Sequence, residues 1–248
     1  MTYDLTIRLP DWHVPDSVRA LSTCRNGGVS IGDFKSFNLA HHVGDDAESV
    51  KQNRAILVRD WLLPTEPHWL NQTHSTHVIE ITDKTLEHDA DASWTEQPEK
   101  VCAVMTADCL PLLVYNPVEH RVAAIHAGWR GLLNGVIENT LDAMTTNPAA
   151  SFVWLGPAIG PSVFEVGPEV VEAFTALDSA AEICFTRSEN QGKFLADIYA
   201  LARQRLQKFD ITNITGGNSC TYLEENRYFS YRRDNRTGRM ASLVWLNE

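Results

Sequence analysis

Three apolar runs stand almost end to end in the middle of the chain: VCAVMT (101–106), LPLLVYN (110–116) and RVAAIHA (121–127). Each has the length of a strand and reads as buried. The connection after Tyr115, NPVEH, is far too short for a parallel crossover, which needs a dozen or more residues. The second and third runs are therefore predicted to pair as an antiparallel hairpin, and the sheet that holds them is mixed at least.

The rest of the chain supplies strands and helices in alternation. Strands are predicted over 4–8, 18–24, 76–82, 152–156, 211–215, 227–232 and 240–246, with a turn at Asn26-Gly27-Gly28. A helix over 46–62, capped by Asp45 or Asp46, lines up Val50, Leu57, Val58, Trp61 and Leu62. The clearest helix begins near Gly131, with Leu132, Leu133, Val136, Ile137, Thr140, Leu141 and Met144 at helical spacing. Pro168 opens a short helix, and another is expected over 194–209. Strands with interspersed helices fit a layered α/β or α+β fold. No repeat, low-complexity tract or linker divides the sequence, so one domain is expected over 1–248.

Composition narrows the function. A net charge of −11 argues against a duplex nucleic-acid binder, which needs a basic face. It leaves room for small anions, because a few Arg residues can make a local positive pocket. No apolar run approaches a membrane span, and the N-terminus has no basic segment followed by an apolar one. The five cysteines are odd in number and widely spaced, which is no disulfide framework. A reduced, cytoplasmic setting follows as the expectation, with free thiols available as ligands or nucleophiles.

The hairpin carries the chemistry. If its turn centres near Pro117–Val118, strand partners have numbers that sum to 235, and Cys109 lies opposite His126 on one face. Their Cβ atoms would be about 4.5–5.5 Å apart. That suits two ligands of one metal ion, or a thiolate–imidazolium pair. A slip of one residue would send them to opposite faces. NQTHSTHV (71–78) offers a third group, His74 or His77. On a helix both could bind; on an extended segment they point apart, and the residues alone leave the choice open. Three N and S ligands with one open position describe a catalytic zinc site.

TCRNGGVS, SFNLAHHVGDD, NQTHS, TADCLP, HAGWRG, WLGPAIGP, FEVG and SYRRDNRTGRMASLVWL together resemble the YfiH family, also called the laccase-domain, polyphenol-oxidase-like or peptidoglycan-editing-factor family. The motifs run in order from residue 22 to residue 246. The resemblance implies a single α/β/β/α domain with mixed sheets flanked by helices. It also implies a metal triad of His74, Cys109 and His126, usually with zinc. The associated activities are phosphorolysis of purine nucleosides and of methylthioadenosine, and adenosine deamination. Copper-dependent oxidation of phenols and a role in guarding peptidoglycan precursors are attached to the family as well. The expected partners are then small purine nucleosides and inorganic phosphate, acted on by a monomer.

Phosphorolysis needs an anion site. HAGWRGLLNG runs from a strand end into a helix start, where backbone N–H groups bind anions, and Arg130 stands at that turn. Arg25 beside Gly27-Gly28 is a second candidate phosphate clamp. Arg232 and Arg233, on a strand, would point oppositely, with Asp234 as their ion-pair partner. Asp108 would face away from Cys109 in a structural role. His42 is a loop candidate for proton transfer. Two alternatives stay in view. A copper oxidase is possible, although the nine His include no H-x-H pair of the kind a multicopper centre uses. A cysteine hydrolase would use Cys109 as nucleophile and His126 as base.

Overall fold

The computed structural model describes residues 6–247, so the first two residues of the strand predicted over 4–8 lie outside the described residues. In chain order the elements are β1 (Ile7–Arg8), β2 (Val18–Thr23), α1 (Ala47–Asp60), β3 (Val78–Glu80), β4 (Ala92–Thr95), β5 (Cys102–Thr106), β6 (Leu110–Asn116) and β7 (Arg121–Ala127). Then follow α2 (Trp129–Asn134), α3 (Val136–Met144), β8 (Phe152–Leu155), β9 (Glu165–Val166), α4 (Pro168–Leu177), β10 (Phe185–Arg187), β11 (Phe194–Ala196), α5 (Ile198–Gln207), β12 (Asn213–Gly216), α6 (Tyr231–Asp234) and β13 (Met240–Leu246).

β6 and β7 form the antiparallel hairpin at the centre of a six-stranded sheet ordered β12-β8-β6-β7-β4-β3. Its edge pairs β12–β8 and β3–β4 are parallel, so the sheet is mixed. A second sheet, β1-β2-β13-β5, is antiparallel throughout, and β10-β11-β9 make a small third one.

Side-chain alternation along the hairpin defines the layers. Leu110, Leu112, Val114, Ala123 and Ile125 pack with α2, α3, α4 and α5 on one face. Leu113, Tyr115, Val122 and Ala124 point the other way, against Cys102, Val104, Val244 and Leu246 of the second sheet. The far side of that sheet, through Ala103, Leu243 and Trp245, packs on Leu57 of α1. The order is helix, sheet, sheet, helix. Strands covered on both faces explain the unbroken apolar runs. Each fully buried Leu or Ile here stabilises by about 1.5–3 kcal/mol.

Several predicted elements change. The hairpin register pairs Pro111 with His126 and Leu110 with Ala127, so partner numbers sum to 237 rather than 235. The turn is responsible: Asn116 Oδ1 accepts from the Val118 and Glu119 N–H groups, which moves the centre one residue on. Cys109 therefore lies one residue before β6, not opposite His126. A shift of two in the sum keeps both on the same face, since the side-chain period is two.

The helix expected from Gly131 to Met144 is two segments, broken at Gly135, whose φ of 99° is left-handed. Residues 194–196 are strand β11, and α5 starts after Asp197, which caps it by accepting from the Ala200 N–H. Residues 227–232 are not a strand. Ser230 Oγ accepts from the Arg233 N–H and opens the single turn α6 instead. β4, β9 and β10 were not expected. Among the described residues no helix is long and apolar enough to cross a membrane.

Candidate metal centre

His126, near the end of β7, shares its face with Ala124 and Val122, so its ring enters the end of the space between the two sheets, where it is buried. Cys109 approaches from the start of β6. The turn before it is held at Asp108, a buried residue with a left-handed φ of 99°. The Asp108 carboxylate accepts from Thr221 Oγ1 at 2.7 Å and from the Arg232 N–H at 2.6 Å, and its carbonyl accepts from the Ile159 N–H. Asp108 thus has the structural role expected of it. His74 comes from the loop before β3, at a φ of 61°, in the left-handed region that His visits more readily than most residues.

The donor atoms of His74, Cys109 and His126 all lie within 4.8 Å of one another, and the Cys109 Sγ to His74 Nε2 distance is 3.6 Å. A sulfur at about 2.3 Å and a nitrogen at about 2.0–2.1 Å from one ion, at a tetrahedral angle, lie about 3.6 Å apart. One thiolate and two imidazoles suit zinc or copper rather than magnesium or calcium. Gly128 leaves the space: a Cβ there would stand 2.7 Å from His74 Cδ2 and 3.0 Å from Cys109 Sγ. His77, which shares the NQTHSTHV motif, is half-exposed and faces Glu87 at 3.6 Å.

Asp91, fully buried, organises all of this. Its Oδ1 accepts from His126 Nδ1 at 2.7 Å and from the His74 N–H at 3.0 Å. Its Oδ2 accepts from the Thr73 N–H, the Ser75 N–H and Ser75 Oγ. Burial alone would raise its pKa, but the hydrogen bonds from His126 and Ser75 hold it well below the usual carboxylate range. An ionised Asp91 only accepts, so His126 must carry its proton on Nδ1, which leaves Nε2 for a metal. Gln72 docks the same loop on the second sheet, with Nε2 donating to the Met105 carbonyl and Oε1 accepting from the Met105 N–H.

Burial opposes charge on both Cys109 and His126, yet their mutual attraction prevails. The Cys109 thiol is shifted down and the His126 imidazole up. The pair favours thiolate, the form that binds metal.

The three donors sit in a cavity of about 400 Å³ whose wall includes His42, Gln72, Met105, Tyr231 and Arg239. Burial, then the neighbouring Arg239 and Arg54, lowers the pKa of His42. Arg25 and Arg130 are not brought here. Arg25 lines a separate cavity, donates to the carbonyls of Lys35 and Glu225, and lies over Phe229. Arg130 is exposed and stacks on Trp129. Helix α2 behind it has only six residues. Arg233 pairs with Asp234 at 2.8 Å, as expected, while Arg232 donates to the Glu165 carbonyl.

Asp91, Gln72 and Arg239 were missed in the sequence. Asp91 directly precedes β4, whose four residues ASWT hold one large apolar side chain, Trp94, too short a run to read as a strand. The signal available was the D-A-D run just before it.

Fold and site together define a class of layered α/β proteins holding one candidate metal centre on the inward face of a β-hairpin. The family described as multi-copper polyphenol oxidoreductase laccase matches residues 19–247, and the chain belongs to it. It is 48% identical to the purine nucleoside phosphorylase of Haemophilus influenzae over 96% of this chain and 98% of that protein. It is 49% identical to the purine nucleoside phosphorylase YfiH of Escherichia coli K12, with the same coverage. The crystal structure of Neisseria meningitidis protein NMB0706 superposes with a TM-score of 0.93 at 47% identity, over 98% of this chain and all of that one. Bacillus licheniformis YfiH gives 0.88 at 30% identity, over 98% and 97%.

Proposed function

We propose that this chain is a zinc-dependent purine nucleoside phosphorylase. It would cleave adenosine or inosine with phosphate to the base and ribose 1-phosphate, and methylthioadenosine to adenine and 5-methylthioribose 1-phosphate, with accompanying adenosine deamination. The observation that carries the reading is the His74–Cys109–His126 cluster at a cavity of about 400 Å³, in a chain related along almost its whole length to proteins of that name.

Held by these three residues, zinc would supply Lewis-acid polarisation of the reacting groups. Asp91 keeps the Nδ1 proton of His126 in place and fixes the loop that carries His74. Gly128 keeps the space between His74 and Cys109 clear. His42, its pKa lowered, is neutral at pH 7 and can accept a proton from the cavity wall. The roughly 400 Å³ of the cavity lies within the usual range for small-molecule sites.

Among the described residues there is one three-donor cluster, whereas a multicopper oxidase needs several copper sites. The test has two arms. A metal assay on protein purified without added metal should find stoichiometric zinc. Copper would favour phenol oxidation, and no metal a cysteine hydrolase. The zinc-loaded protein is then incubated with adenosine, with and without phosphate. Adenine should appear only with phosphate, and inosine in both cases. Cys109→Ala and His126→Ala should abolish both products with the fold intact. No free base at any phosphate concentration, with robust phenol oxidation by the zinc-loaded protein, would overturn the assignment.

A further inference from the structure

Arg239 is the one basic side chain other than histidine in the wall of the metal cavity, and no Asp or Glu lines that cavity. The residue as a whole is half-buried. Nη1 donates to the carbonyls of Thr237 at 2.9 Å and Gly238 at 3.1 Å. Among the described residues Nε and Nη2 have no hydrogen-bond acceptor, and no carboxylate lies within ion-pair distance. Three N–H donors, along the edge that grips oxyanions in pairs, are therefore free.

The group is held rigidly. Its backbone N–H donates to Asn38 Oδ1, and its carbonyl accepts from the Leu39 N–H. Gly238 lets the chain pass close to its neighbours, since a Cβ there would stand 2.7 Å from Phe229 and 2.9 Å from Asn38. The guanidinium carbon lies 5.7 Å from the Tyr231 ring centre, with Tyr231 at the same wall. The Cys109 thiolate and, after it, the Asp108 carboxylate attract this half-buried cation, but neither accepts a hydrogen bond from Nε or Nη2, so the fork itself is unused.

We propose that Arg239 is the phosphate-binding residue of this cavity, gripping two oxygens of inorganic phosphate through Nε and Nη2 beside the three metal-type donors. As a role in phosphorolysis this rests on the phosphorylase reading; as an anion site it does not. It assigns the phosphate contact to a residue at the triad's own cavity rather than to Arg25 or Arg130, which lie outside it. Phosphate is the ligand in question, and it could arrive free or as part of a 5′-phosphorylated nucleoside. A cavity of about 400 Å³ that must also take a nucleoside favours the free ion.

The test is calorimetric titration of the zinc-loaded protein with inorganic phosphate, no nucleoside present, and in parallel with adenosine 5′-monophosphate. Wild type, Arg239→Gln and Arg239→Lys are compared, with the exposed Arg187→Gln as a control for net charge. Arg239→Gln should weaken phosphate binding by about ten- to a hundredfold, the usual effect of losing a charge-assisted pair of bonds. Arg239→Lys should fall between, because an ammonium keeps the charge and loses the fork. If the Gln protein does not fold, the Lys protein, which keeps the cation, decides the matter by the same measurement. No phosphate binding by wild type, a change of less than threefold in the folded variant, or a loss confined to the monophosphate would overturn the proposal. If phosphate affinity falls as expected while adenosine yields no free base, Arg239 keeps its assignment and the phosphorylase reading fails.

Discussion

Asp91→Asn tests the reasoning about the metal centre most directly. The substitution keeps size and shape but turns one acceptor oxygen into an amide donor. Five donors now converge on the carboxylate: two on Oδ1, from His74 and His126, and three on Oδ2, from Thr73 and Ser75. An amide nitrogen in the Oδ2 place would oppose three of them. In the Oδ1 place it opposes only two, and one of those can yield, because His126 can shift its proton from Nδ1 to Nε2 and accept. The amide should therefore sit with nitrogen towards His126, leaving the part-buried His74 N–H without its acceptor. That costs about 1–3 kcal/mol of folding stability. The tautomer change places a proton on the very nitrogen a metal needs, which should weaken metal binding about ten- to a hundredfold. The assay is competition for zinc against a chromophoric chelator, with denaturant melts of the metal-free proteins. Asp89→Asn, which alters an exposed carboxylate bonded to Asn71, is the control. Zinc affinity within threefold of wild type in a folded Asp91→Asn protein would refute the tautomer argument.

Two further outcomes are expected. Gly128→Ala places a methyl 2.7 Å from His74 and 3.0 Å from Cys109, so zinc stoichiometry should fall below one per chain while circular dichroism and the melting midpoint stay close to wild type. Glu119 joins the hairpin turn to the residues after α3, accepting from Thr145 Oγ1 and from the N–H and hydroxyl of Thr146, and these bonds lower its pKa to about 2. A depressed carboxylate stabilises above its unfolded pKa of about 4.3 and loses that contribution as pH falls through the folded value. The stability gap between wild type and Glu119→Gln should therefore be full at pH 6, shrink from about pH 4.3 downwards and close near pH 2. A gap that widens on acidification would show the bonds to be absent.

Local pattern was enough for the hairpin, for α1 with a cap at Asp45 or Asp46, for β13 and for the layered class, because each follows from apolar periodicity or from a connection too short for a crossover; the structure chose Asp46. It also put Cys109 and His126 on one face. That survived a register error of two because side chains repeat every two residues. The third donor came from resemblance, since the period of the NQTHSTHV segment alone leaves His74 and His77 equivalent; His77 in fact faces Glu87.

Tertiary structure alone decided the rest. Asp91 reaches His126 only because β4 pairs with β7, so that the His126 N–H meets the Asp91 carbonyl at 2.7 Å across 35 positions of sequence. Asp108 acts through partners 113 and 124 positions away. Arg239 lines the cavity that holds His74, Cys109 and His126, whereas Arg25, a more conspicuous sequence candidate beside two glycines, lines a different one. A sequence records which groups can ionise, ligate or donate. Which of them lose water and meet depends on pairings between distant segments, and no local period encodes those.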